Sequence, residues 1–249
     1  MKFVHRCSIE WMRDRSQYLT ASEIRKLVPL TAGGRKRNIT NTTRLEVLAN
    51  KMREIREDDC MSYGVMARGH LLEPYAIGSF NLVSGMSNLL YHWDDRVLTR
   101  DGVLGFSPDA LDVPMDMSNE DAVEKATIIG EVKSYEAGRH LITAASDKST
   151  LEERWQIATA MTVCKNANVA YLILYNPDIT KQDLQVIAIE YKREELDSEI
   201  NIIKMVEEDW LNFLDTFDFD ELDVVKGKSC ANADNIYKYI EKNQKLNPF

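Results

Sequence analysis

Two short segments hold side chains whose types and spacing could do chemistry: GFSPDAL (105–111) and GEVKSY (130–135). If the second is a strand, its side chains alternate between faces. Glu131 and Lys133 then point one way, and Val132 points into the sheet. An aspartate on the neighbouring strand, Asp109, would complete a group of two carboxylates and one ammonium. Hard carboxylate oxygens suit magnesium, which keeps several waters and shares its shell with substrate phosphate. Such a cation acidifies a water and offsets the charge that builds on a phosphate. Lys133 would orient or deprotonate that water, or stabilise the pentavalent transition state. The predicted chemistry is phosphodiester hydrolysis. A Glu-x-Lys triplet alone reads as readily as a surface ion pair, so the strand context and the Ser-Pro-Asp turn carry the argument.

The elements that must position these residues can be read from pattern. TIIGEVKSY (127–135) is rich in β-branched residues in its first half and reads as a strand, as does VLGFSPDALDV (103–113). LLYHW (89–93) and VLTR (97–100) read as strands flanking an Asp94-Asp95 turn. AYLILYN (170–176) suits a buried strand, with LQVIAIEY (184–191) beside it. The polar, acidic stretch 114–126 reads as a loop or hairpin insertion. Helical spacing is expected over 9–28, 44–58, 62–84, 150–165 and 193–217, with one more helix in the tail at NIYKYIEKNQK. Thr20 and Ser22 sit where a helix could begin. Pro74 predicts a kink or a first turn, and the Gly-, Thr- and Asn-rich 31–43 predicts a loop. This order of elements predicts an α/β or α+β fold, a mixed central β-sheet flanked by helices. The expectation is one domain over 1–249 with an acidic helical C-terminal region from about 193.

Bulk composition narrows the function classes. The chain has 249 residues, 44% hydrophobic and 29% charged, as for an ordinary globular protein. There is no apolar run long enough to span a membrane, and MKFVHRCSIEWMRDRS lacks the apolar core of a secretory signal, so a cytoplasmic setting is expected. Cys7, Cys60, Cys164 and Cys230 show no zinc or iron–sulfur spacing. His5, His70, His92 and His140 form no ligand set. The net charge of −9 argues against a polyanion partner until its distribution is seen. Residues 1–40 hold nine bases and three acids, +6; residues 190–225 hold thirteen acids and three bases, −10. A basic face can bind DNA while an acidic remainder limits non-specific adhesion. Two solvated faces of opposite sign is the plainer alternative.

Several further motifs appear in a fixed order. Trp11, Arg15, Leu19, Thr20, Ala21 and Ser22 form W-x-x-x-R…L-T-A-S, and Gly69 to Pro74 form G-x-x-x-E-P. SPDAL, E-x-K, Arg139 and Gln156 follow. Over residues 11–176 this set resembles the lambda-type phage exonucleases, or YqaJ-type viral recombinases, of the PD-(D/E)xK nuclease superfamily. The resemblance implies a restriction-endonuclease-like core and assigns roles. Asp109, Glu131, Lys133 and Gln156 would be catalytic. Glu73, Asp109, Glu131 and the backbone carbonyl of Val132 would hold two Mg2+ ions, with Mn2+ as a possible substitute. Arg15, Ser22, Ser107 and Arg139 would bind DNA at the 5′ phosphate. It further implies a 5′→3′ exonuclease on double-stranded DNA ends, a homotrimeric ring, a single-strand annealing partner, and a phage or prophage recombination setting without a membrane. The rival readings are another endonuclease or repair nuclease of the superfamily, or a DNA-binding module of the same fold without catalysis. Each residue also has a plainer role. Arg15 could pair with Asp14 or Glu10, Ser22 could cap a helix, and Glu73 could be an exposed helix acid. Ser107 could serve only the turn, and Gln156 could be a buried amide. Trp11 and Trp155 fit the core better than base stacking.

Overall fold

The computed structural model describes residues 8–31, 34–56, 65–93 and 96–217. Two sheets and eight helices build the described part. The larger sheet has the order β2 (Tyr91–His92), β5 (Ala110–Leu111), β6 (Ile128–Lys133), β7 (Val169–Tyr175), β8 (Val186–Lys192). β6 and β7 run parallel and the other neighbours antiparallel, so the sheet is mixed as expected. The smaller sheet has the order β1 (Leu19–Thr20), β4 (Leu104–Phe106), β3 (Leu98–Thr99).

Helices cover both faces of the larger sheet. α4 (Val65–Ser84) places Ala76, Ile77 and Phe80 against Leu90, Ala110, Val132 and Ile173. Each large apolar side chain buried this way contributes about 2 kcal/mol. Gly130 lets these layers approach: a Cβ there would lie 3.0 Å from the Ala110 Cβ and 3.1 Å from Leu90 Cδ1. Ile128, Gly130 and Val132 therefore turn toward α4, and Ile129, Glu131 and Lys133 turn the other way. On that second face lies α7 (Glu153–Val163), which also packs on α2 (Ala21–Leu27) and β4. The remaining helices are α1 (Ile9–Ser16), α3 (Asn41–Met52), α5 (Asn119–Lys125), α6 (Ala137–Ala145) and α8 (Asp197–Thr216). The chain divides into two compact units, Met1–Glu208 and Asp209–Phe249; of the second, residues 209–217 are described.

Several expectations change. The 9–28 helix is two helices separated by β1, because Leu19 N–H donates to the Val103 carbonyl (2.8 Å) and joins the chain to β4. Thr20, not Ser22, is the N-cap of α2: its backbone N–H and hydroxyl both donate to Glu23 Oε2 (3.0 and 2.8 Å). The 103–113 strand is β4 and β5 in different sheets, split at Pro108, which has no amide hydrogen for a ladder. Likewise β2 and β3 belong to different sheets. The 114–126 stretch contains α5, capped by Ser118, whose Oγ accepts from Asp121 N (3.1 Å). Pro74 lies inside α4, which continues through it. The Asp94-Asp95 turn, the tail helix, and the ends of the 44–58 and 62–84 helices (57–64) lie outside the described residues, as do Cys7, Cys60, Cys230 and His5.

Candidate active site

Asp109 stands at the entry to β5. β5 pairs antiparallel with β6 through Ala110↔Gly130 and Leu111↔Ile129, and continuing that register by one residue sets Asp109 beside Glu131. Backbone contacts fix it from two sides. Trp93 N–H donates to the Asp109 carbonyl (2.9 Å), and Val132 N–H donates to Asp109 Oδ2 (2.7 Å). The fully buried Trp93 ring is itself anchored by Nε1–H to the Val113 carbonyl (2.8 Å).

Glu131 and Lys133 share the face of β6 opposite Val132, as alternation predicts. Lys133 Nζ donates to Glu131 Oε1 at 2.5 Å. Burial works against the ammonium, but the Glu131 and Asp109 carboxylates outweigh it and hold the Lys133 pKa above its ordinary value. In this arrangement Lys133 donates a hydrogen bond to Glu131 and sets a positive charge beside Asp109.

A cavity of about 180 Å³ opens beside these groups, lined by Asp109, Glu131, Val132 and Lys133 together with Glu73, His70, Ser107 and Gln156. Arg15, Ser22, Thr20 and Trp11 complete its wall. Glu73 is 7% exposed, so it is not the exposed helix acid of the plainer reading, and Asp109 is 6% exposed. His70 Nδ1 lies 3.1 Å from Glu73 Oε1, and His92 Nε2 lies 3.6 Å from Glu73 Oε2. On the basic side, Arg15 donates to Ser22 Oγ (2.8 Å), and its guanidinium stacks over the Trp11 ring at 5.0 Å. Ser107 Oγ is buried and has no hydrogen-bond partner among the described residues.

Nine of the ten residues singled out by sequence thus line one cavity: Arg15, Ser22, Glu73, Ser107, Asp109, Glu131, Val132, Lys133 and Gln156. Arg139 is not in its lining. It sits on α6 with its guanidinium 4.1 Å over the Tyr135 ring and 3.8 Å from Glu153. Sequence reasoning passed over His70, His92 and Glu153. Glu153 is buried and accepts from the Tyr135 hydroxyl. Burial, with that hydrogen bond and the Glu153 charge, pushes the Tyr135 phenol up. His70 had a local signal, one helical turn before Glu73; His92 had none, because its contact crosses the fold.

Among the described residues, no three histidine, cysteine or carboxylate side chains already stand as a metal-holding group. The donor set nevertheless fits a hard divalent cation. Three carboxylates share one cavity wall, two of them almost fully buried, and Lys133 is the ammonium lying against them. Carboxylates removed from water at this density are costly without positive charge. The Glu131 oxygen that Lys133 occupies would have to turn to the cation.

No protein-family model matches the sequence, and no curated protein matches it. Two solved structures share its fold. An alkaline exonuclease from Laribacter hongkongensis is 19% identical, covers 90% of this chain and 99% of its own, and superposes with a TM-score of 0.62. A structure of that exonuclease in complex with dAMP is 20% identical over the same shares, with a TM-score of 0.61. At this identity the likeness establishes the fold alone, an α+β domain with a restriction-endonuclease-like core.

Proposed function

We propose that this protein is a divalent-cation-dependent DNA exonuclease of the lambda type, acting 5′→3′ on double-stranded ends and leaving 3′ overhangs for recombination. The observation that carries the reading is the convergence of Asp109, Glu131 and Lys133 with Glu73 and Gln156 on one cavity, within a fold shared with an alkaline exonuclease. Polarity, duplex preference, a trimeric ring, an annealing partner and a phage or prophage setting in the cytoplasm rest on the sequence resemblance.

Glu73, Asp109, Glu131 and the Val132 carbonyl would hold the cation, two Mg2+ ions or Mn2+ in their place. When bound, it supplies an acidified water and positive charge at the phosphate. The chain's own residues do the rest. Lys133 donates to a phosphoryl oxygen and stabilises the charge that grows there, or orients or deprotonates the attacking water. Gln156 offers an amide from α7 to orient the attacking water. The Val132 N–H bond fixes the Asp109 carboxylate, so little reorganisation is needed as the phosphate arrives. Arg15 and Ser22 present a charge-assisted cradle for a terminal phosphate, and the buried, unpartnered Ser107 hydroxyl offers another donor on the same wall. Arg139, exposed on α6, would meet the DNA strand outside the cavity.

Digestion of a linear duplex labelled at its 5′ or 3′ end, with Mg2+ or with EDTA, tests this. Mg2+-dependent release of the 5′ label first is expected, with a closed circular plasmid left intact. Cutting of the circle would make the protein an endonuclease, and EDTA-insensitive digestion would remove the cation.

A further inference from the structure

We propose that His70 and His92 are positioning residues for Glu73, holding its carboxylate between two imidazoles in the direction it presents to the cavity. This rests on the divalent-cation reading of the cavity. Glu73 comes from α4, whereas Asp109 and Glu131 come from the sheet, so the helix carboxylate needs its own anchor. Pro74, next in sequence, has no amide hydrogen to offer the His70 carbonyl, which leaves this turn of α4 one helical bond short. His70 lies three residues before Glu73 on the same helical face, and its Nδ1 meets Glu73 Oε1 at 3.1 Å. His92 arrives from β2. Its Nε2 is buried, has no hydrogen-bond partner among the described residues, and lies 3.6 Å from Glu73 Oε2. A ring nitrogen in that position is costly unless paired, and a shift of a few tenths of an ångström pairs it with the carboxylate.

The sheet explains how His92 reaches this point. β2 pairs with β5 through His92↔Ala110, and the next residue, Trp93, donates to the Asp109 carbonyl. One strand pairing therefore fixes Asp109 and carries His92 to Glu73, tying the helix carboxylate to the strand carboxylate. Outer hydrogen-bond partners of ligating groups set ligand orientation, and losing one lowers metal affinity roughly 10–100-fold.

The test is Mn2+ binding to the full-length protein, followed by electron paramagnetic resonance, with thermal midpoints in EDTA to confirm folding. His70→Ala and His92→Ala are each expected to weaken Mn2+ binding about tenfold. His70→Asn and His92→Gln, which keep a donor near the same place, should restore most of it. In a Glu73→Ala background neither histidine substitution should weaken binding further. Mn2+ affinity equal to wild type in both alanine variants overturns the proposal while leaving the cation reading intact. A further loss of the same size in the Glu73→Ala background also overturns it, since the imidazoles would then act elsewhere. A wild-type protein that binds no Mn2+ overturns the cation reading itself, and this proposal with it. Should His92→Ala not fold, His70→Ala, at a partly exposed position, decides by the same criteria.

Discussion

Acidic side chains are arranged in two opposite ways in this molecule. At the seam where α7 meets the 193–196 turn and the start of α8, Glu195 and Glu199 each have their own cation. Lys148 Nζ lies 2.8 Å from both oxygens of Glu195, and Arg154 Nε lies 2.6 Å from Glu199 Oε1. In the cavity, Glu73, Asp109 and Glu131 line one wall, and Lys133 is the ammonium against them. The seam is matched in charge and complete. The cavity gathers three carboxylates beside Lys133 and Arg15, an excess of negative charge that a cationic ligand would offset. On the proposed function, matched charge marks architecture here and mismatched charge marks the site.

The largest effect should come from removing charge on the mismatched side. Asp109→Asn and Glu131→Gln keep shape while discarding a carboxylate, and Asp109→Asn keeps an acceptor for Val132 N–H. Each should lower the rate of linear-duplex digestion about 10³-fold, with the thermal midpoint unchanged or raised. A variant that keeps activity within tenfold of wild type, or that loses stability, would break the contrast.

The seam should respond in reverse. Arg154→Ala strips a mostly buried carboxylate of its cation and should cost about 3 kcal/mol of stability, with digestion at low temperature unaffected. Burial works to raise Glu199, but Arg154 and the Ser198 hydroxyl hold it below its ordinary 4.5. The stabilisation it provides is therefore present above about pH 4.5 and lost as acid titrates the folded carboxyl. Acid unfolding of the Arg154→Ala protein should lack that limb, as read by circular dichroism across pH 3 to 6.

A smaller effect belongs to the basic rim of the cavity. Arg15 is held by Ser22 Oγ and the Trp11 ring, a prepared site for a doubly charged phosphate. Wild type should digest a 5′-phosphorylated duplex about tenfold faster than a 5′-hydroxyl one, the worth of one charge-assisted bond. Arg15→Ala should erase the difference, and equal wild-type rates on both substrates would discard the cradle.

Much of this contrast was legible in the sequence, and the missing parts share a physical cause. Alternation put Glu131 and Lys133 on one face, and Val132 does face the α4 core. The Ser-Pro-Asp turn located Asp109 because proline ends the ladder there. What sequence missed is short or non-local. β1 and β5 have two residues each, too few to show a period. α5 buries only Ala122 and Val123, so with its five polar residues it reads as loop. His92 meets Glu73 across the sheet, and Glu153 meets Tyr135 across eighteen positions; neither pair has a spacing to read.

His140 limits the rule that mismatch belongs to the cavity, because it is an unmatched buried titratable group outside it. It lies on α6 against β7, fully buried, with Nε2 donating to the Leu184 carbonyl at 2.9 Å. That partner is neutral, and Nδ1 has no hydrogen-bond partner among the described residues. Burial pushes the imidazole below its ordinary 6.5, more than the Leu184 carbonyl offsets. The unfolded chain then binds a proton below about pH 6.5 that the folded chain resists. Stability should be flat above that pH and fall as pH drops, by at most about 1.4 kcal/mol per pH unit for this one group. His140→Gln keeps a donor for Leu184 and has no proton to gain. Urea unfolding of both proteins at pH 7.5 and pH 5 should show their difference shifting in favour of the variant at the lower pH. A difference independent of pH would mean the imidazolium finds a partner in the fold, and mismatch would then mark the cavity alone.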